Sequence, residues 1–143
     1  MQNLKTISFS INIDSDGETV WDTLWNPKTY EKWTKVFSEG SHYEGELKQG
    51  HTILFLGKEG GMSAIVESII EKEQLVFVHQ KEVKNGVECD STGQGAKEVY
   101  YLKKDLNNGV ELQVILDVVP DMEDYFKKTF PKALETIKQI SEQ

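Results

Sequence analysis

The residues of this chain that could do chemistry are three histidines, one cysteine, and a few carboxylates and tyrosines carried on strand-like segments. His79 ends the otherwise apolar run Val76-Phe77-Val78-His79-Gln80. Strand alternation puts it on the face of Leu75 and Phe77, where an imidazole can bind a ligand or pass it a proton. The same position also suits a histidine at a strand end, bonded to backbone or water. Glu67 interrupts Ala64-Ile65-Val66 and Ser68-Ile69-Ile70. A carboxylate inside a cavity can serve as a general acid or base, while one on the outer face is only a solvated charge. Tyr100 and Tyr101 are adjacent, so a strand sends them to opposite faces, and the inward hydroxyl needs a partner or a ligand. His79, Glu67 and Tyr101 are therefore the candidate proton-transfer groups.

Other reactive arrangements do not form in the sequence. His42, His51 and His79 make no HxH or HxxxH pair, and Cys89 has no CxxC partner, so neither a metal nor another cofactor is expected. There is no nucleophile elbow and no Ser-His-Asp order. Gly57–Gly61 reads as a hairpin turn rather than a phosphate cradle, because it leads into no helix.

The elements that must position these residues follow from periodicity. Ile7, Phe9, Ile11 and Ile13 alternate with polar residues, which predicts a strand over 4–13. Ser15 and Glu18 have capping-box spacing, predicting a helix from about Asp16. Asn26-Pro27 ends that helix and opens another, with Asn26 as cap and proline at the first helical position. Strands are predicted at 39–47, 51–56, 62–70 and 74–83, with Asn85-Gly86 as a hairpin turn. Residues 87–96 read as a polar, mobile loop. A hairpin follows, with strands over 97–105 and 110–118 around a turn at Asn107-Asn108-Gly109. Pro120-Asp121 then opens a long helix, capped by Asp121, whose apolar stripe is Met122, Tyr125, Phe126, Phe130, Ala133, Leu134, Ile137 and Ile140. Pro131 falls inside it and predicts a bend near 127–131.

Composition bounds the partners. Lys plus Arg number 16 against 24 Asp plus Glu, a net charge of −8, and no basic cluster offsets it. Neither nucleic acid nor an anionic membrane surface is expected as a partner. No apolar run approaches a membrane span. The N-terminus has no basic-then-apolar layout of a secretory signal, and the single cysteine allows no internal disulfide, so a cytoplasmic location is expected.

The order strand, two short helices, a meander of strands and one long helix is an α+β layout. It resembles the helix-grip fold of the START-like, birch-pollen-allergen-like (SRPBCC) superfamily. More narrowly, Val20-Trp21-Asp22-Thr23-Leu24, then Asn26-Pro27, then Tyr30-Glu31-Lys32-Trp33 is similar to the opening of the branch related to the activator of heat-shock-chaperone ATPase. The closing helix, with Phe126, Phe130, Leu134 and Ile137, is similar to that family's last helix.

The resemblance implies a single domain over 1–143. In it, a curved antiparallel sheet of about six or seven strands is crossed on its concave face by the long helix. It also implies a cavity between the two. The residues expected to line that cavity are Trp21, Trp33, Phe55, Phe77, His79, Tyr101, Leu112, Val114, Tyr125, Phe126 and Phe130. The function expected is binding of a small apolar ligand. The alternatives are a cyclase- or hydrolase-type enzyme, as among polyketide cyclase relatives, and a chaperone-interaction module, in a monomer or homodimer.

Overall fold

The computed structural model describes residues 3–58, 60–91, 93–105 and 108–143. Its centre is an antiparallel sheet whose strands lie in the order β1 (Lys5–Ile13), β8 (Val110–Val118), β7 (Lys97–Lys104), β5 (Gln74–Lys84), β4 (Gly60–Ile70), β3 (Thr52–Gly57) and β2 (His42–Glu44). An eighth strand, β6 (Val87–Asp90), pairs with the far end of β5. The first and last strands pair along their whole length, from Lys5 opposite Val118 to Ile13 opposite Val110. Their alternation sends Ile7 and Ile13 inward with Leu112, Val114 and Leu116, and all of these are buried.

Two short helices precede the meander. Helix α1 (Gly17–Trp25) is capped by Asp16, whose carboxylate accepts the Thr19 N–H at 2.7 Å; the Ser15–Glu18 box is not the cap. Helix α2 (Pro27–Thr34) starts as the sequence predicts, with Asn26 Oδ1 accepting from Lys28 N–H at 3.0 Å and proline in the first turn. The last helix, α3 (Glu123–Ser141), follows a 3₁₀ turn at Pro120–Met122, so Asp121 does not cap it. Helical structure runs on through Pro131.

Two segments depart from expectation for physical reasons. Strand β2 is only three residues long. It stops at Gly45, which has φ +115°, where a Cβ would sit 2.7 Å from the Thr52 carbonyl oxygen. Residues 87–96 are not a free loop. Strand β5 outruns β7, and β6 folds back onto its unpaired end through Asn85-Gly86, whose φ values of 51° and 78° are those of a type I′ turn. Gly95 N–H then donates to the His79 carbonyl at 2.8 Å, and His79 N–H donates to that of Ala96 at 2.8 Å. The predicted turn at Asn107-Asn108-Gly109 falls partly outside the described residues; Asn108 has φ 65°.

The core is aromatic at one end and aliphatic at the other. Trp25 is ringed by Tyr100 at 4.9 Å and Phe77 at 5.6 Å between centroids, both nearly edge-on. Trp33 donates its indole N–H to the Leu24 carbonyl at 3.1 Å, locking α2 to α1. At the other end, Ala133, Leu134 and Ile137 of α3 are buried, and Ser141 Oγ lies 3.0 Å from Thr23 Oγ1 of α1. This half of α3 is packed down onto the core.

Candidate functional site: a cavity under the first turns of the closing helix

The N-terminal part of α3 is held differently. Tyr125 and Phe126 are not buried, and beneath them lies a cavity of about 820 Å³. It is bounded by the inner faces of β3, β4, β5 and β7, by the end of β8, by α2 and the segment after it, and by the first turns of α3. The helix thus stands off the sheet over its opening turns only.

Six of the residues singled out in the sequence border this space: Trp33, Phe55, His79, Tyr125, Phe126 and Phe130. Phe37, from the segment after α2, joins them and packs 5.1 Å from Phe130 and 6.3 Å from Phe126. The others lie elsewhere. Phe77, Leu112 and Val114 share the inner face but are completely buried in the hydrophobic core, Phe77 against Trp25 of α1. Trp21 is half-buried on α1, edge-on to Trp25 at 6.3 Å and outside the cavity. Tyr101 is opposite Gln74 and Gln113 in register, which places it on the outer face, while Tyr100 sits inside opposite Leu75 and Val114. Glu67 occupies a register shift in β4 between the pairs Val66–Phe77 and Ser68–Val76. It is exposed and forms an ion pair with Lys97 at 3.3 Å.

The polar centre of the cavity is a group that sequence reasoning did not assemble. Glu98 stands two residues before Tyr100 on β7, so both point inward. The Tyr100 hydroxyl donates to Glu98 Oε2. His79 Nε2 lies 3.0 Å from Glu98 Oε1, and His79 Nδ1 is buried with no partner among the described residues. An imidazole that carries its hydrogen on Nε2 satisfies this geometry, with the carboxylate accepting from both neighbours. Burial, and then the charge of Glu98, holds the Tyr100 hydroxyl protonated well above the ordinary tyrosine value. Burial first and Glu98 second do the same for Tyr30, which also borders the cavity.

The sequence held a signal for this arrangement. Leu102 is apolar while Lys97 and Lys103 are charged, so alternation along β7 places Glu98, Tyr100 and Leu102 on the inner face. No group of three His, Cys, Asp or Glu side chains is placed to hold a metal ion among the described residues. No helix among them is long and apolar enough to cross a membrane.

Comparison with known proteins gives structure without sequence. No family model matches the chain, and no curated protein matches it in sequence. Among solved structures, the Aha1 dimer of Colwellia psychrerythraea is similar with a TM-score of 0.75 at 18% identity, over 96% of this chain and 96% of that one. Protein MLL2253 of Mesorhizobium loti gives 0.73 at 16% identity, over 95% and 96%. CalU16 of Micromonospora echinospora gives 0.69 at 14%, over 96% and 76%. Identities this low speak for architecture alone, and the architecture is clear: a curved antiparallel sheet gripped by a long C-terminal helix, the helix-grip fold.

Proposed function

We propose that this protein binds a small, largely apolar ligand in the cavity beneath α3, as a carrier or sensor. The observation that carries the reading is the cavity itself. Its volume of about 820 Å³ lies within the range of about 300–1,000 Å³ found for small-molecule sites, and its lining combines aromatic rings with polar and charged side chains, the apolar surface being the larger part. The cavity opens to solvent on one side, and an apolar occupant would remove the exposed part of its aromatic walls from water. Binding rather than catalysis is supported by the placement of the proton-transfer candidates. Glu67 and Tyr101 sit on the outer face, and the nitrogen of His79 not engaged by Glu98 is buried.

Titration with N-phenylnaphthylamine, a neutral apolar fluorophore, tests this. Saturable binding is expected, with amide chemical-shift changes concentrated at Trp33, Phe37, Phe55 and Phe126. Absence of saturation, or shifts confined to other surfaces, would reject the reading.

A further inference from the structure

Aromatic walls accept many apolar bodies, so selection among them falls to the charged groups that border the cavity, among which Glu98 is the largely buried one hydrogen-bonded to Tyr100 and His79. The Glu98 side chain is 19% exposed and borders the cavity. Its two side-chain partners, the Tyr100 hydroxyl and His79 Nε2, take one site on each carboxylate oxygen. An ionised carboxylate offers about four acceptor sites, so open ones remain.

The lysines bordering the cavity are committed elsewhere. Lys84 pairs with Glu82 at 3.6 Å, and Lys97 pairs with Glu67 at 3.3 Å on the outer face. Among the described residues, no lysine or arginine is therefore paired with Glu98. A carboxylate that is only 19% exposed is further stabilised by a counter-charge or donors beyond Tyr100 and His79. Aromatic rings line the cavity with Glu98, and the net charge of −8 favours entry of a cation over an anion.

We infer, resting on the cavity-binding reading above, that the ligand is an organic cation. It is a protonated amine on an aromatic or alicyclic body, the ammonium seated on Glu98 and the body held among Trp33, Phe37, Phe55 and Phe126. Carboxylate-bearing molecules of the same size are refused, because their charge would face that of Glu98.

The test is displacement of bound N-phenylnaphthylamine by three molecules sharing one ring system: naphthylethylamine, naphthylethanol and naphthylacetate at neutral pH. The amine is expected to displace the probe at a concentration about tenfold or more below the alcohol, the advantage a charge-assisted hydrogen bond implies. The carboxylate should be weaker than both. In Glu98→Gln, with folding checked by circular dichroism, the neutral probe should still bind and the amine should lose its advantage.

Equal displacement by amine and carboxylate, or an amine advantage that survives in Glu98→Gln, would overturn the inference while leaving the cavity reading intact. Failure of the neutral probe to bind at all would end both. If Glu98→Gln does not fold, the ranking of the three molecules on the natural chain decides alone.

Discussion

Three of the five tyrosines have hydroxyls whose protonation is tied to the folded state. Tyr30 and Tyr100 are raised above the ordinary value of 10.0 by burial and then by Glu98, and Tyr43 is raised by burial alone. A raised folded value means the protonated form is favoured on folding. The stability linked to these protons is complete below pH 10 and is lost as pH rises through the folded values. In an alkaline titration followed by phenolate absorbance, three tyrosines should be missing from the step near pH 10 and should appear only as the chain unfolds. Glu98→Gln should bring Tyr100 and Tyr30 part of the way back, because the burial contribution remains. Five tyrosines ionising together in a chain that is still folded would contradict this account.

At the scale of elements, α3 works as two pieces. Its C-terminal half is fixed by Ala133, Leu134, Ile137 and the Ser141–Thr23 contact, while Tyr125 and Phe126 border the cavity and pack against Phe37. Truncating a side chain should therefore cost different amounts in the two environments. Phe77→Ala removes a ring with no exposure, 4.9 Å from Phe55 and 5.6 Å from Trp25, and should cost about 3–5 kcal/mol in urea unfolding. Phe126→Ala should cost well below that range and should change probe affinity instead, since Phe126 is only partly buried and borders the cavity. Equal losses would mean that no gap exists beneath the helix.

The same division marks what could be read from sequence. Strands β1 and β8 were each legible from apolar alternation, although Ile115 blurs it in β8 and their pairing was not read from sequence; α2 was legible because Asn26-Pro27 is a local signal. The packed fate of Phe77, Leu112 and Val114 was not. All three share the inner face with cavity residues, and whether such a position is filled or open depends on tertiary neighbours, as Trp25, Phe55 and Tyr100 around Phe77 show. Strand β6 was missed because its partner is an overhang of β5, a consequence of register between distant segments.

For the whole molecule, a cavity of this size makes stability a function of occupancy. A ligand that binds only the folded chain stabilises it by RT ln(1 + [L]/Kd), about 2.7 kcal/mol at a hundredfold excess over Kd. N-phenylnaphthylamine at that excess should raise the unfolding free energy by about this amount, measured by urea denaturation. The gain should follow mass action. Salt then separates the two interactions of the site. The net charge of −8 acts over distances that added salt screens, so the stabilisation given by naphthylethylamine should fall with ionic strength while that given by the neutral probe should not. A stabilisation that keeps growing linearly with probe concentration, with no logarithmic dependence on it, would point to adsorption on the outer surface and against an internal site.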